Sequence, residues 1–166
     1  METVKHTLQP VYDENSRILI LGTMPSPKSR EAGFYYSHPQ NRFWRVVSDL
    51  LSQELPTTNE EKTCFLLKNH IALWDVLKSC TITGADDSSI HNPIPNNIAG
   101  LLKATGINTV FTTGSKAASL YHRFCEKDAG VPAIPLPSTS PANCRHYNYE
   151  RLKEAYGVIL PYLEIN

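Results

Sequence analysis

The feature that most restricts the fold is a long loop that joins an apolar strand pattern to an apolar helix pattern. The strand pattern covers residues 17–21, and its run of Ile and Leu is typical of a parallel strand buried on both faces. The helix pattern begins near Asn41 and runs to about Gln53, with apolar residues at helical spacing. The stretch between them, Gly22 to Trp44, leaves the carboxyl end of the strand, where open α/β sheets bind ligands. Loops of this length without secondary structure of their own are usually functional or disordered, and the aromatic residues here argue against disorder.

The chemistry of this loop suits a nucleotide. Phe34, Tyr35 and Tyr36 offer flat apolar faces. Its other notable side chains are neutral hydrogen-bonding groups and cations, namely His38, Gln40, Asn41, Lys28, Arg30, Arg42 and Arg45. Stacking faces, amide edges and cations together fit a flipped nucleobase and its phosphates. The same aromatic residues would equally anchor the loop on its own sheet, so residue types alone leave both interpretations open.

The rest of the chain alternates strand and helix patterns. The predicted helices after the first are 60–69, 95–104, 115–125 and 147–162, and the further strands are 71–76, 108–113 and 133–136. Residues 1–16 are predicted to be an N-terminal arm or loop, and residues 81–95 an irregular polar loop. This alternation predicts a three-layer α/β fold with a mainly parallel four-stranded sheet, in a single domain over residues 1–166.

Composition limits the partners and cofactors. The 166 residues include 16 Lys and Arg against 16 Asp and Glu, so a nucleic-acid partner must rest on a local patch. We expect a cytoplasmic location, because the N-terminus lacks the apolar core of a signal peptide and no window has 18 apolar residues. The protein is expected to be a monomer. The four cysteines are scattered without a C-x-x-C pair, which argues against a zinc or iron–sulfur cofactor. We therefore predict reduced thiols and no cofactor.

At three further positions the residues alone allow more than one interpretation. Asp75 ends the second predicted strand, and is either a general base or water-orienting carboxylate, or a cap for the next turn. Asp86, Asp87 and His91 could hold a metal, although the Asp-Asp-Ser-Ser run is more typical of a turn. Gly114 stands at a strand-to-helix turn that could bind a phosphate, but the spaced glycines of a P-loop are missing.

Two motifs resemble the uracil-DNA glycosylase superfamily in the style of its mismatch-specific uracil and thymine enzymes. Gly22-Thr23-Met24-Pro25-Ser26 stands at their Gly-x-Asn-Pro-Gly turn, and His38-Pro39-Gln40-Asn41-Arg42-Phe43-Trp44 matches their His-Pro-x-Asn-Arg-Phe-Trp run. The second motif, x-Pro-Ser-x-x-Ser, is matched by Leu136-Pro137-Ser138-Thr139-Ser140 and continues through Pro141 to Asn143. The combination, over about residues 17–163, resembles the hypoxanthine-DNA glycosylase branch, the sixth family.

The chain departs from the motifs at two catalytic positions. Met24 occupies the place of the catalytic Asn, and Leu136 the place of the Asn or His that begins the second motif. The hypoxanthine branch is understood to use the Asn of the His-Pro-x-Asn run instead, which is Asn41 here. Asn41 is also the best candidate from the loop itself, as an amide beside the aromatic residues. It would orient the attacking water or bind the base edge.

The resemblance implies roles for other residues. Tyr36 stands where relatives stack a Phe on the base, with Phe34 and Tyr35 as second choices. Main-chain groups of Thr23 and Met24 would line the base pocket, and Thr113 occupies the place of an Asn that contacts the base. The proline-rich second loop resembles the wedge that helps flip the base. The expected DNA contacts are Ser26, Lys28, Arg42, Ser138, Thr139, Ser140, Asn143 and Arg145.

The resulting prediction is a base-excision repair glycosylase that hydrolyses the N-glycosyl bond of deaminated bases in DNA and leaves an abasic site. No lysine is well placed for a Schiff base, so we predict a monofunctional hydrolase. Hypoxanthine as the preferred base rests on the resemblance, since the residues do not separate it from uracil or xanthine. The alternatives are a uracil or mismatch-specific glycosylase, a non-catalytic nucleic-acid-binding module with a decayed site, and a hydrolase of free nucleotides.

Overall fold

The computed structural model describes residues 2–164, so Met1, Ile165 and Asn166 of the predicted domain lie outside the described residues. The strands are β1 (Glu2–Lys5), β2 (Ile18–Gly22), β3 (Ile71–Asp75), β4 (Leu77–Thr83), β5 (Asp86–Pro95), β6 (Thr109–Thr113) and β7 (Ala133–Leu136). The helices are α1 (Pro27–Ala32), α2 (Phe43–Leu50), α3 (Asn59–Lys68), α4 (Ile98–Ala104), α5 (Ser115–Phe124), α6 (Glu126–Ala129), α7 (Tyr149–Tyr156) and α8 (Leu160–Leu163). Short 3-10 turns at Pro141–Asn143 and Gly157–Ile159 complete the list.

The centre of the molecule is a four-stranded parallel sheet, which confirms the predicted fold class. Its order is β3-β2-β6-β7, with Gly22 opposite Asp75 and Thr113 opposite Leu136. Because all four strands run the same way, their carboxyl ends meet at one edge of the sheet. Both motif loops leave from that edge, the first after β2 and the second after β7.

Two apolar cores on opposite faces of the sheet make the three layers. Along β2, Ile18 and Ile20 join one core, which α2, α3 and α7 cover. Leu19 and Leu21 join the other core, to which α4, α5 and the strands β1, β4 and β5 contribute. Since successive side chains of a strand point to opposite faces, the continuous apolar run of β2 supplies both cores at once.

The prediction of an irregular loop over residues 81–95 is wrong. β4 and β5 form an antiparallel hairpin, and β1 pairs with β4 to make a three-stranded sheet of order β1-β4-β5. The hairpin turn contains Gly84 at φ 57°, a conformation that glycine adopts without steric cost. Residues 1–16 are therefore not only an arm, because β1 lies in this sheet and buries Val4.

Two other predicted elements have a different form. The first motif loop contains the short helix α1, which begins after Ser26 and ends at Gly33. Gly33 has the left-handed conformation at φ 76°. The predicted final helix is divided into α7, a 3-10 turn from Gly157 and α8, which has Pro161 in its first turn. Glycine and proline both disfavour a continuous helix interior, which explains the division.

Helix α3 begins one residue before the predicted start, with Thr58 as its N-cap. The Thr58 side chain accepts a hydrogen bond from the Glu61 amide at 3.0 Å, and the Glu61 carboxylate accepts one from the Thr58 amide at 3.0 Å. This reciprocal pair is a capping box. Within residues 2–164, no helix combines the length and apolar character that crossing a membrane requires.

Candidate active site

A cavity of about 320 Å³ lies at the carboxyl edge of the parallel sheet, between the two motif loops. Its volume is in the range of small-molecule sites. It brings together ten of the residues predicted for the site: Thr23, Met24, Ser26, Tyr35, Tyr36, Asn41, Thr113, Ser138, Thr139 and Ser140. The turn of the β4–β5 hairpin also lines it, which the sequence did not indicate.

Tyr36 is a supported aromatic platform in this cavity. Its ring stacks on Phe43 with centroids 4.2 Å apart and an angle of 23° between the planes, so one face of the ring is covered. Its hydroxyl lies 3.4 Å from the Thr113 hydroxyl. Burial, and after it the charge of Asp75, raises the pKa of Tyr36 well above its ordinary value, so the hydroxyl keeps its proton. Tyr36 also has φ 54°, a conformation that is uncommon for a bulky residue and often found at functional sites.

Asn41 has one half of its amide occupied by the protein. Its Oδ1 accepts hydrogen bonds from the Phe43 amide at 2.9 Å and from the Thr139 hydroxyl at 2.8 Å. A backbone N–H can only donate, so the carbonyl oxygen must face Phe43 and the orientation of the amide is fixed. The Nδ2 group has no partner within residues 2–164, and is therefore available to donate into the cavity.

The second motif loop is held against the first. The Arg42 amide donates to the Thr139 carbonyl at 3.2 Å, and the Asn143 side chain donates to the Ser138 carbonyl at 3.0 Å. The Ser140 amide donates to the Ser138 hydroxyl at 3.1 Å. These bonds fix the small-residue turn beside the cavity before any ligand binds.

Several residues predicted for the site lie outside the cavity. Phe34 is 8% exposed and packs in the core on Tyr35 and Trp44, so the structure does not bring it to a base. Lys28 and Arg145 are exposed on the surface, away from the cavity lining.

Arg42 has an internal role that differs from the predicted phosphate contact. Its Nη1 donates to the Tyr147 carbonyl at 2.6 Å, and its Nε and Nη2 are buried without a partner in the described part of the chain. It joins the first motif loop to the segment before α7. Asn143, through its bond to Ser138, likewise supports the second loop from within.

Asp75 and His6 form a pair that the sequence did not reveal. Asp75 is 3% exposed, lines the cavity, and accepts a hydrogen bond on Oδ2 from His6 Nε2 at 2.8 Å. The predicted alternative of a turn cap is not seen among residues 2–164, because His6 is the side chain's partner. The two residues are 69 positions apart. The only signal in the sequence was an acid at the end of a strand.

The described residues contain no group of three or more His, Cys, Asp or Glu side chains close enough to hold a metal ion. Asp86 accepts from the Ser88 amide at 3.0 Å and from the Ser88 hydroxyl at 2.6 Å, which is the turn chemistry predicted for the Asp-Asp-Ser-Ser run.

Comparison with known proteins connects this site to one family. The profile of the uracil DNA glycosylase superfamily matches residues 9–162. A protein of Methanosarcina acetivorans named hypoxanthine DNA glycosylase is 35% identical over 143 residues, which cover 86% of this chain and 90% of the relative. One of the same name from Methanosarcina barkeri is 36% identical over 116 residues, covering 68% of this chain and 73% of the relative.

A solved structure is similar to this chain over nearly the whole length of both. It is a solution NMR structure of a candidate uracil DNA glycosylase from Methanosarcina acetivorans, with a TM-score of 0.83 and 32% identity. The match covers 99% of this chain and 100% of that chain. The cavity, the two motif loops and the sheet therefore lie in a fold with a close structural counterpart.

Proposed function

The chain belongs to the uracil DNA glycosylase superfamily, and we propose that it excises hypoxanthine, the product of adenine deamination, from DNA. The family resemblance drawn from the two motifs is confirmed. The chain is a DNA glycosylase, a hydrolase of N-glycosyl bonds that acts on deaminated bases. Hypoxanthine as the preferred base is supported by the names of the two relatives. The observation that carries the proposal is one cavity that holds a supported stacking ring and an amide donor without a partner among residues 2–164.

Tyr36 would bind the flipped base by stacking. Phe43 covers one face of its ring, so a base would enter against the other face. Base–aromatic stacking contributes about 1–3 kcal/mol per base and tolerates any base, so it supplies affinity rather than choice. The neutral hydroxyl of Tyr36, together with Thr113, adds polar groups at the end of this platform.

Asn41 would act on the leaving base through Nδ2. Its carbonyl already accepts two hydrogen bonds, so it has little capacity to accept one from an attacking water. Hypoxanthine has acceptors at O6, N7 and N3, and a donor aimed at them stabilises the electrons that the base takes when the N-glycosyl bond breaks. Donors placed where charge develops often provide the largest single part of a rate enhancement. We therefore assign Asn41 to the base and not to the water.

The DNA backbone would lie along the cavity mouth. Ser138, Thr139 and Ser140 form a turn that is already fixed, and main-chain groups of Thr23 and Met24 line the wall beside it. Exposed Lys28 and Arg145 are the expected phosphate contacts, and the Ser26 hydroxyl is a further candidate. With few such cations on a chain of zero net charge, we expect a shallow dependence of DNA binding on salt.

We expect the enzyme to act as a cytoplasmic monomer without a cofactor. Its cysteines Cys64, Cys80, Cys125 and Cys144 are unpaired, which is the usual state in a reducing compartment and supports a cytoplasmic location.

The test is single-turnover cleavage of labelled duplexes that carry one hypoxanthine, uracil, xanthine or thymine mismatch, with alkali to break each abasic site. Cleavage strongest at hypoxanthine supports the proposal. Cleavage mainly at uracil would keep the family and reject the substrate. Binding of DNA without cleavage of any lesion would favour a module with a decayed site, and cleavage of deoxyinosine without DNA would favour a hydrolase of free nucleotides.

A further inference from the structure

Three polar atoms of the cavity lining surround one point beside Gly22. A Cβ on Gly22 would lie 2.5 Å from Asp75 Oδ1, 3.3 Å from the Tyr36 hydroxyl and 3.6 Å from the Thr113 hydroxyl. Gly22 and Asp75 are opposite each other at the ends of β2 and β3. The missing side chain at Gly22 is therefore what lets the carboxylate lie between these strand ends, beside the platform of Tyr36.

The carboxylate is held from behind by a residue of the N-terminal segment. His6 Nε2 donates to Asp75 Oδ2 at 2.8 Å, and the His6 side chain is only 2% exposed. The His6 backbone amide donates to the Lys78 carbonyl at 2.7 Å, which extends the pairing of β1 with β4. The imidazole thus reaches Asp75 from a position that the second sheet fixes.

One oxygen of the carboxylate remains without a partner. Oδ2 is occupied by His6, whereas no hydrogen bond to Oδ1 is found in the described chain, 2–164. A carboxylate oxygen accepts hydrogen bonds, and this one belongs to a residue that lines the cavity. A ligand that brings a donor to this point is therefore favoured over one that brings an acceptor.

Deamination replaces a ring lone pair of the base with an N–H, and a hydrogen-bond acceptor distinguishes the two. Adenine has a lone pair at N1 and cytosine one at N3. Their deamination products, hypoxanthine and uracil, have an N–H at those positions. A carboxylate would accept from the N–H and repel the lone pair. Guanine also has an N1–H, so this contact separates hypoxanthine from adenine, and the 2-amino group of guanine must be excluded by shape.

We propose that Asp75, positioned by His6, accepts a hydrogen bond from the ring N–H of the flipped base and so selects deaminated bases. This inference rests on the proposed function, since it names how the same site chooses its substrate. Asp75 is a specificity residue that contacts the base, and His6 is a positioning residue that acts through it.

The surroundings of Asp75 favour this role over activation of water. A flipped nucleotide enters base first, so its C1′ atom and the attacking water stay toward the cavity mouth. Asp75 is 3% exposed, and its Oδ1 lies around the same point as the Tyr36 and Thr113 hydroxyls, at the end of the platform on which the base would stack. A carboxylate beside the base also disfavours its departure as an anion, and the Nδ2 donor of Asn41 offsets that effect.

The test compares two bases in the parent enzyme and in Asp75→Asn. The probes are duplexes with hypoxanthine, or with unsubstituted purine, which has the same ring system but a lone pair at N1. The parent should excise hypoxanthine about 100-fold or more faster than purine under single turnover, because the site rejects a base that lacks the donor. In Asp75→Asn, His6 still donates to the amide oxygen, so the amide NH₂ faces the base and the hypoxanthine-to-purine ratio should fall at least about tenfold.

His6 is tested through the same ratio. His6→Leu should lower it, and His6→Gln, which keeps an N–H donor, should restore most of it. The matched control is His91→Gln, because His91 is an exposed histidine of β5 that does not line the cavity, and it should leave the ratio unchanged. Thermal unfolding of each variant shows whether the substitution has lowered the stability of the fold.

Each other outcome overturns the inference. Equal loss for both bases in Asp75→Asn would assign Asp75 to water activation, and no loss would leave it a structural role. A parent that excises purine as fast as hypoxanthine would refute the inference without any variant, even if Asp75→Asn does not fold. If the parent excises no hypoxanthine, the proposed function fails, and this inference with it. If it does and the ratio is insensitive to Asp75, the inference alone fails.

Discussion

Replacing Asn41 with aspartate removes one donor from the cavity and keeps the contacts that hold the residue in place. The Phe43 amide and the Thr139 hydroxyl both donate to Asn41 Oδ1, and a carboxylate oxygen accepts both bonds equally well. The only group lost is Nδ2, which has no partner in residues 2–164. The substitution therefore isolates the donor that we assign to the leaving base.

The expected effect on the rate is large, and the expected effect on stability is small. Removing one donor that stabilises developing charge in an active site lowers the rate about 10²–10³-fold, or about 3–4 kcal/mol of transition-state stabilisation. The new negative charge beside the base adds to this loss. Asn41→Ala should lose the same activity and also about 1–3 kcal/mol of folding stability, because the Phe43 amide loses its partner.

The assay is single-turnover excision from a hypoxanthine duplex, with thermal unfolding measured on each variant. The matched control is Asn108→Asp, the same amide-to-acid change at an exposed residue that does not line the cavity, which should excise at the parent rate. If Asn41→Asp excises within about threefold of the parent, the loss that a missing donor produces is absent and the role assigned to Nδ2 is wrong. A faster Asn41→Asp would instead indicate that a carboxylate can activate the water there.

Three further predictions concern the Tyr36 platform, Gly22 beside its hydroxyl, and the capping box of Glu61 at the start of α3. Tyr36→Leu should weaken binding of a hypoxanthine duplex by about 1–3 kcal/mol while Tyr36→Phe retains it, which titration of both variants checks, and equal affinities would argue against stacking. Gly22→Ala should lower hypoxanthine excision and destabilise the fold by about 1–3 kcal/mol, because its Cβ would lie 2.5 Å from Asp75 Oδ1; an unchanged melting temperature and rate would contradict this. Hydrogen bonds from the Thr58 amide, and then from Thr57, lower the pKa of Glu61 from 4.5 to about 2. Because the folded pKa is the lower one, the stabilisation is complete above pH 4.5 and is lost as the pH falls through about 2. Thermal unfolding across that window should therefore show a smaller acid-induced loss in Glu61→Gln than in the parent, and equal losses would refute the assignment.

The parallel sheet could be predicted because its strands are short apolar runs that local sequence identifies. The run of β2 supplies both cores, so every residue had to be apolar, and the prediction did not depend on distant contacts. The β4–β5 hairpin could not be predicted in the same way. Only one face of it is covered, and Ile82 and Ile90 alternate with exposed polar residues whose composition is that of a loop.

The candidate site likewise has a part that local sequence predicts and a part that depends on distant contacts. Tyr36 and Asn41 lie within one motif, so the sequence brings them together, and the structure adds which half of the amide is occupied. The pair of His6 and Asp75 depends on the end of β1 in one sheet meeting the end of β3 in the other, which no local pattern records. Phe34 fails as a base contact for a similar reason, because three adjacent aromatic residues gave no indication of which ones face the core.

The most direct test of the central claim is identification of the products from a duplex with one hypoxanthine under single turnover, by mass spectrometry without alkali. The account predicts free hypoxanthine and an intact strand with one abasic site, in equal amounts. Release of no base would contradict glycosylase activity, and a strand broken before alkali is added would contradict a monofunctional hydrolase.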